Sequence, residues 1–582
     1  MTPTADELPE EQTPNPPGDA SSPWPQRWQA AASALLLVLF CMSLSLVPIR
    51  ADNDAWWHVK AGKVIAEQGL PTYDVFAYTA ESYEWHNHEW LTQLIAWKIW
   101  QAGEGTTLGG WRAVILAKAL VLCGAYLLVW YLAGRISRNW WIALFVAMLC
   151  CAIGRRTFFP RPPVVSNLLL AFEILMLVGV QQGWWRRRWL WVFVPLFALW
   201  TNLHGAWMAG AVILAAFCAS DLAASLAERY RWAGMLHRIF RKPPSIGPPV
   251  FWLAFAPAIV LATFANPYGW HLYALPGRVL GNTDLVAQIG ELKPPEFRFT
   301  IISHFTVFFL AGLVIWQVVS GIRRRDEERL PLSAEAVIAA FFAWQGLKHV
   351  RHLLLLSVAA APLLARTSTL LWARFQACVP CRQGRVVIGA LPILLVAYLA
   401  LTNWFPWEFD PARLDNYPRR NVAFFQNRDG YVKSAFPSNI ADFVELAQPK
   451  GRMFNENWFA GYLIWRLSPE EHKVFTDPRF DIFGADIWRV EQSILAGAPE
   501  WQEHLDEYGV TWIVTAVRQD SQTGEFTGLS ARLRQSPDWE RIGTFPVGRS
   551  AFSLWMRDSA EMQDSIDRAR RIYSAQYGTP QP

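Results

Sequence analysis

Two aspartates, Asp52 and Asp54, stand two residues apart directly after the first long apolar run of the chain. Carboxylates at this spacing can accept a proton from an attacking hydroxyl group, or they can hold a divalent cation. A structural role competes with both, because Asp is favoured at a helix N-cap and helical periodicity begins at Trp56 and Val59. A helix has one N-cap, so capping explains only one of the two aspartates. The pair is therefore a candidate catalytic centre, either with or without a divalent cation.

A second group of ionisable residues follows in the same loop, where Glu84, His86, His88 and Glu89 lie among tryptophans. On a strand, both histidines would point to one face and could share a metal ion. Their spacing matches no zinc motif closely, and tryptophans of this kind also anchor loops at the membrane interface. We therefore predict that these four residues bind substrate, with metal binding as the weaker alternative.

Arginines form a third group. Arg155, Arg156 and Arg161 flank a Phe-Phe-Pro segment, and Arg351 and His352 stand together in a later short connection. Guanidinium groups bind phosphate through paired hydrogen bonds. The phosphate could belong to a lipid-linked carrier or to ordinary anionic head groups, because both interactions rest on the same chemistry. We include these five residues among the predicted substrate-binding residues.

Other polar residues stand at the ends of apolar runs, where ionisable groups are costly to bury and are commonly functional. Together with the groups above, we predict that they form one cavity facing the outer side of a membrane. They are His58, Asn202, His204, Asn266, Tyr268 and Glu291.

The elements that would position these residues are long apolar runs. Only 17% of the residues are charged, against about 25% in soluble proteins, and the 33 tryptophans suit a chain with many membrane interfaces. Runs near the length that spans a bilayer, roughly 20 residues, predict about 11 transmembrane helices. They cover 28–49, 112–134, 139–153, 163–182, 189–203, 206–222, 250–265, 303–321, 333–348, 350–366 and 385–404.

Arginine and lysine positions predict the orientation of these helices. If the N-terminus is cytoplasmic, five connections on the cytoplasmic side are basic, as the positive-inside rule requires. Their residues are Arg135, Arg138, Arg186, Arg187, Arg188, Arg229, Arg231, Arg238, Arg241, Lys242, Arg323, Arg324, Arg325, Arg329, Arg374, Arg382 and Arg385. We predict a multi-pass protein of the cytoplasmic (inner) membrane with an extracytoplasmic C-terminal domain.

The chain divides into three parts by composition. Residues 1–27 are rich in Pro, Asp, Glu and Ser and predict a disordered cytoplasmic tail. Residues 28–404 predict a transmembrane domain whose first outer loop covers 50–111. Residues 405–582 contain no spanning run and predict a small soluble α/β domain.

Within that soluble domain, residues 510–515 are apolar and β-branched and predict a buried strand. Residues 452–455 and 473–476 predict shorter strands, and residues 484–497 and 500–508 predict helices.

The arrangement resembles the GT-C superfamily of membrane glycosyltransferases, and most nearly bacterial proteins of the protein-mannosyltransferase and aminoarabinose-transferase type. A first spanning helix, an acidic motif in a long outer loop, many spans and an outer soluble domain carry the resemblance. The motifs are DNDAWWHVKAGKVIAEQGLPTYDVFAYT (52–79), HEWL (88–91), NLHGAW (202–207), NPYGWHLY (266–273), WFAGYLIWRL (458–467) and KVFTDPRFDIFG (473–484).

The resemblance implies that a sugar moves from a polyprenyl-phosphate donor to a lipid, glycan or protein acceptor at the outer face of the membrane. It implies a first-loop Asp as general base, with Asp54 favoured over Asp52, and it assigns the carrier phosphate to Arg155, Arg156 and Arg161. Many members have Asp-Glu where this chain has Asp-Asn-Asp, so the base is ambiguous between the two. Membrane lipids are expected partners, nucleic acid is not, and a divalent cation is the one cofactor under consideration.

Two other functions fit the same outline. A transporter or flippase of lipid-linked glycan would place its binding residues near the bilayer midplane, whereas the polar residues here gather at span ends on one side. A non-catalytic envelope scaffold, or a glycan ligase or polymerase, is the other alternative.

Overall fold

The computed structural model describes most of the chain. The described residues are 23–50, 52–229, 245–280, 289–296, 308, 312, 334–378, 429–479, 482–483, 485–520, 522–547 and 550–578. Most of the predicted tail, the predicted spans 303–321 and 385–404, and several of the basic connections lie outside these residues.

Helices make up the first part of the chain. They are α1 (Pro23–Ser45), α2 (Asp54–Gln68), α3 (Trp90–Glu104), α4 (Gly110–Ser137), α5 (Trp140–Gly154), α6 (Pro163–Gln181), α7 (Phe193–Leu203), α8 (Trp207–Arg229), α9 (Pro249–Ala262), α10 (His271–Leu280), α11 (Ala334–Lys348), α12 (Leu353–Ala359) and α13 (Ala361–Cys378). Leu, Ala, Val and Phe fill these helices, and α1, α4, α5, α6 and α8 enclose much of one apolar core.

Five helices in the described part of the chain are long and apolar enough to cross a membrane, and a bent pair gives a sixth. The five are Arg27–Ser45, Gly110–Ser137, Trp140–Thr157, Pro163–Gln181 and Trp207–Leu226. The bent pair, Val350–Ala359 with Ala361–Gln376, turns by 57°. The predicted spans at 189–203, 250–265 and 333–348 are helices of 11, 14 and 15 residues. The predicted total of about 11 spans therefore stays a prediction.

The C-terminal part is a soluble-type α/β domain around one four-stranded sheet. Its strands are β1 (Arg452–Asn455), β2 (Val510–Ala516), β3 (Trp539–Val547) and β4 (Ser550–Arg557), in the order β1-β2-β4-β3. Only β1 and β2 are parallel; β4 pairs antiparallel with β2 and with β3. Its helices are α14 (Ser438–Ala447), α15 (Asn457–Leu467), α16 (Ala485–Ala496), α17 (Trp501–Glu507), α18 (Gly528–Gln535) and α19 (Gln563–Tyr577).

The predicted strands at 452–455 and 510–515 and the helices near 484–497 and 500–508 are confirmed. The predicted strand at 473–476 is wrong. Val474 makes only an isolated bridge with Ala77 of the first loop, because the segment pairs with that loop at a single residue and joins no ladder of the sheet. The strands β3 and β4 and the helices α14, α15, α18 and α19 were not predicted.

The segment predicted to be the first outer loop, residues 50–111, packs into the C-terminal domain, and the two share one apolar core. The Trp56 ring is fully buried and makes edge contacts with Trp111, Phe436 and Tyr462, with ring centroids 4.4–4.9 Å apart. Buried aromatic pairs of this geometry stabilise beyond their area burial. The start of α2, where the two aspartates lie, is therefore held by both parts of the chain.

Candidate active site

Asp52 and Asp54 have different surroundings. Asp52 is 1% exposed, and its Oδ1 accepts hydrogen bonds from the backbone N–H groups of Asp54 and Ala55 at 3.1 and 3.4 Å. It thus caps the N-terminus of α2, as the competing structural interpretation predicted. Asp54 is the first residue of α2, and its side chain is 23% exposed. Of the two, Asp54 is the carboxylate that a reactant can reach.

Arg161 joins these carboxylates. Its Nε lies 2.6 Å from Asp52 Oδ1, and one terminal nitrogen lies 2.7 Å from Asp54 Oδ2 and 2.6 Å from Glu291 Oε1. Three segments far apart in sequence therefore meet at one guanidinium. The sequence suggested Arg161 as a phosphate ligand, but here its donors are directed at three carboxylates.

Glu291 is held near this centre by two later loops that bind each other. The backbone N–H of Val350 donates to Lys293 O at 3.1 Å, and His349 Nδ1 lies 2.6 Å from Leu292 O. The connection that carries Glu291 is therefore tied to the one that carries Arg351. The Arg351 side chain is exposed and interacts electrostatically with Glu291 and Glu89.

Burial raises the pKa of Asp54 to about 7, against the opposing effect of the Arg161 charge. The nearby charges of Asp52 and Glu291 raise this pKa further, and a hydrogen bond from Trp57 Nε1, 3.3 Å from Asp54 Oδ1, lowers it. A carboxylate with a pKa near neutrality is suited to accept a proton at physiological pH.

Beside this centre, Glu89 lies among three histidines. Its carboxylate oxygens are 3.6 Å from His58 Nδ1, 3.8 Å from His88 Nε2 and 3.4 Å from His204 Nε2. Burial, followed by the charge of Arg161, lowers the pKa of His58 well below its usual value, so His58 is neutral. The predicted residues His58, His88, Glu89 and His204 are thus brought together, with three histidines around one carboxylate.

An apolar cavity of about 110 Å³ begins at this centre. Side chains of α3, α4 and α6 line it, and His58, Gln93, Lys118 and Arg161 supply its polar lining. Lys118 Nζ donates to Phe158 O at 3.1 Å and interacts electrostatically with Asp52. Lys118 was not predicted from the sequence, although a lone lysine within the apolar run 112–134 is itself a signal.

Some predicted binding residues connect segments of the fold. Asn202 Oδ1 accepts from Trp90 Nε1 at 2.9 Å, and its Nδ2 donates to Ala198 O and Ala265 O. Asn266 Oδ1 accepts from the N–H of Tyr268 within its own turn. Both amides are used by the protein itself, so their expected role in substrate binding gains no support from these contacts.

The remaining predicted residues lie around the site. His86 stacks on His271 with ring centroids 5.0 Å apart and lies 5.4 Å from the Tyr268 ring, while Glu84 is largely exposed. Arg155 and Arg156 are exposed on the turn that ends α5, next to the Phe158 carbonyl that Lys118 binds. The ring of His352 packs edge-on against His349.

Metal binding, the weaker alternative from the sequence, depends on how the candidate ligands are arranged. Within the ranges that the structure describes, no three side chains of His, Cys, Asp and Glu are arranged to hold one metal ion. The histidines around Glu89 approach it at 3.4–3.8 Å, as hydrogen-bonding or electrostatic neighbours. The residues present do not fit a metal centre.

The C-terminal domain contacts the aspartate motif directly through α15. Asn53, between the two aspartates, donates from Nδ2 to Asn457 O at 3.0 Å. A methyl group added at Gly461 would lie 1.9 Å from the carbonyl oxygen of Asn53. Real carbon atoms do not approach an oxygen so closely, so only glycine lets α15 pack against the motif.

We expect Gly461→Ala to displace the Asp52–Asp54 segment without unfolding α15, because alanine favours a helix over glycine by about 1 kcal/mol. Carboxyl labelling with a carbodiimide, followed by peptide mass spectrometry, should show Asp52 labelled several-fold faster than in the parent protein. Gly105→Ala is the matched control, since Gly105 has a φ of −72° and no atom within 4 Å of an added methyl group. Unchanged labelling in folded Gly461→Ala would show that α15 does not position the motif.

Comparison with known proteins gives structural matches alone. No protein-family model matches the sequence, and no curated protein matches it. The Archaeoglobus fulgidus oligosaccharyltransferase tethered with an acceptor peptide containing the NVT sequon is similar, with a TM-score of 0.55 and 12% identity over 95% of this chain and 82% of that one. The oligosaccharyltransferase AglB from the same organism, in complex with an inhibitory peptide and a dolichol-phosphate, is also similar. Its TM-score is 0.53 and its sequence identity 12%, over 96% of this chain and 87% of that one.

ArnT from Cupriavidus metallidurans bound to undecaprenyl phosphate gives a TM-score of 0.43 at 14% identity, over 92% of this chain and 98% of that one. The archaeal matches cover both the helical part and the C-terminal domain. The chain is a polytopic α-helical membrane protein with the GT-C fold and a C-terminal α/β domain, which confirms the fold predicted from the sequence.

Proposed function

We propose that this GT-C chain is a membrane glycosyltransferase that moves a sugar from a polyprenyl-phosphate donor to a hydroxyl-bearing acceptor at the outer face of the cytoplasmic membrane. One observation carries the proposal. The accessible carboxylate of Asp54, whose pKa is near neutrality, contacts Arg161, and Arg161 and Lys118 line an apolar cavity between α3, α4 and α6.

The cavity supports a lipid-linked donor. Its walls are mostly apolar side chains of α3, α4 and α6, which suit the prenyl chain, and Lys118 is among its few polar lining residues. An ammonium group buried among apolar helices is costly unless it meets a negative charge. Asp52 supplies such a charge within the protein, and we assign Lys118 to the carrier phosphate because it is also a cation that lines the cavity. Arg155 and Arg156, on the adjoining turn, are candidates for further phosphate contacts.

The fold supports the same substrate class. One structural relative holds a dolichol-phosphate together with a peptide, and another carries a tethered acceptor peptide. Both are oligosaccharyltransferases by their descriptions. At 12% identity, what they share with this chain is the fold.

In the proposed reaction, the acceptor hydroxyl oxygen attacks the anomeric carbon of the donor sugar. The bond between that carbon and the carrier phosphate oxygen breaks, and the hydroxyl proton passes to Asp54. Lys118 stabilises the charge that grows on the leaving phosphate, which is where a fixed cation lowers a barrier most. Asp52 holds the start of α2, and Arg161 and Trp57 orient the Asp54 carboxylate.

The pH dependence of the reaction follows from Asp54. A general base must be deprotonated, so kcat should rise with pH through a midpoint near 7 and be about tenfold lower at pH 6 than at pH 8. Because the charge of Glu291 raises the pKa of Asp54, Glu291→Gln should move the midpoint to lower pH. A midpoint that stays in place, or moves to higher pH, would argue against Asp54 as the titrating base.

Mass spectrometry of lipid-linked glycans and envelope glycoconjugates, with the gene intact and deleted, tests the proposed function. The proposal expects one defined sugar to be lost from the glycoconjugates while its polyprenyl-phosphate donor accumulates. Intact donor and product pools after deletion would contradict it. Accumulation of a complete lipid-linked glycan on the inner leaflet alone would indicate a flippase instead.

A further inference from the structure

We propose that the guanidinium of Arg161 is a built-in cation that takes the place of a divalent metal ion among the carboxylates of Asp52, Asp54 and Glu291. The inference rests on the proposed function and adds that the transfer is independent of metal ions. It also gives Arg161 a positioning role in place of the phosphate-binding role suggested by the sequence.

Carboxylate charges converge on the guanidinium of Arg161. Three carboxylates gather at one point, each 2.6–2.7 Å from a nitrogen of Arg161. Like charges at such a site repel unless a cation lies between them. In proteins, clustered carboxylate oxygens commonly hold a hard divalent cation. Here a side chain of the protein supplies the cation instead.

The guanidinium of Arg161 is also fixed in place. Arg161 stands between Pro160 and Pro162, whose rings restrict the backbone of this turn. Its backbone N–H donates to Phe159 O at 2.8 Å, and its guanidinium lies 4.9 Å from the Phe159 ring centre. The side chain is 14% exposed. Arginine keeps its charge in proteins, so this cation is present at every working pH.

The other charges near the three carboxylates also favour this role for Arg161. The three carboxylates are faced by three cationic side chains: Arg161 in direct contact, Lys118 near Asp52, and Arg351 near Glu291. Of these cations, Arg161 is the one that touches all three carboxylates, so the repulsion among them is offset by a charge already in contact. A divalent cation placed here would compete with Arg161 for the same oxygen atoms.

The role of Arg161 follows from its geometry. The planar guanidinium contacts Asp52 through Nε and contacts both Asp54 and Glu291 through one terminal nitrogen. It therefore sets the distance between Asp54, the proposed base, and Glu291. Lysine has the charge but not the fork. Arg161→Lys should therefore keep the site closed to metal ions while losing part of the activity.

The test uses the full-length protein in detergent or lipid, with Mn²⁺ as the probe. Mn²⁺ binding is followed by the electron paramagnetic resonance signal of the free ion, and transfer is followed by release of polyprenyl phosphate. The parent protein should bind no Mn²⁺ at this site and should transfer equally well with and without EDTA. Arg161→Ala should lose at least about a hundredfold in transfer and gain one Mn²⁺ site, because without the guanidinium the three carboxylates can turn toward an ion that their present arrangement does not hold.

Arg188→Ala is the matched control, because Arg188 is an exposed arginine on the connection before α7; it should gain no site. Loss of transfer in EDTA by the parent protein, with recovery on adding Mn²⁺, would overturn the inference. So would a folded Arg161→Ala that binds no Mn²⁺. The binding measurements need no activity, so they remain decisive even if no sugar is transferred and the proposed function fails.

Discussion

Asp54→Asn is expected to lower kcat for sugar transfer by about 10²–10⁴-fold, the range that a positioned general base contributes. The substitution keeps the size of the side chain and its ability to accept the hydrogen bond from Trp57 Nε1. It removes the carboxylate that is proposed to take the acceptor proton. Thermal unfolding should change little, because Asp54 is not the N-cap of α2.

Asp52→Asn is the comparison for this variant. The amide oxygen of Asn can still accept from the N–H groups of Asp54 and Ala55, so the cap of α2 is kept. Since the charge of Asp52 raises the pKa of Asp54, its loss should move the midpoint of the pH profile to lower pH. Asp54→Asn should instead lose that pH dependence altogether. Full activity in both variants would remove the aspartate motif from the mechanism.

Lys118→Met is expected to lower kcat/KM for the lipid-linked donor by about 10–100-fold, which corresponds to one lost charge-assisted hydrogen bond of roughly 1.5–3 kcal/mol. Methionine is unbranched and of similar length, so it fills the same space among the apolar residues of the cavity. Only the charge and its donors are lost. Steady-state kinetics with varied donor concentration measures the effect.

Lys98→Met is the matched control, because Lys98 lies exposed on α3 and donates to Gln101 at 3.3 Å. Its kcat/KM should equal that of the parent protein. If Lys118→Met binds and uses the donor as the parent does, the carrier phosphate must be held elsewhere, and the exposed Arg155 and Arg156 become the next variants to make.

The sequence predicts the long membrane helices and the acidic motif because those features are local. Apolar runs such as 112–134 and 163–182 need no tertiary context to form helices in a membrane, and both are present as α4 and α6. Runs at 189–203 and 250–265 form shorter helices than spans require. Apolar composition alone does not separate a spanning helix from a buried one.

The contacts within the site could not be predicted in the same way. Asp54, Arg161 and Glu291 were each singled out, but more than 100 residues separate Arg161 from either partner, and nothing local indicates that they meet. The same holds for Asn202, whose amide could have faced a substrate equally well. The fold directs it to Trp90 and two backbone carbonyls instead.

The link between the first loop and the C-terminal domain is also a tertiary feature. Gly461 lies in an apolar segment of the sequence, and its small size matters only because Asn53 packs against it. The strand β3 was not predicted because Gly543 and Pro546 interrupt its alternation, and both residues are depleted in strands.

Reconstitution tests the central claim most directly. The purified protein is placed in liposomes made with the lipid extract of cells that lack the gene, in which the donor should accumulate, and envelope glycoconjugates from the same cells are added as acceptor. Mass spectrometry then follows the free polyprenyl phosphate and the glycosylated acceptor. A glycosyltransferase releases polyprenyl phosphate and extends the acceptor by one sugar, and Asp54→Asn does neither. Donor that stays chemically intact with the parent protein, or is consumed equally by both proteins, would contradict it.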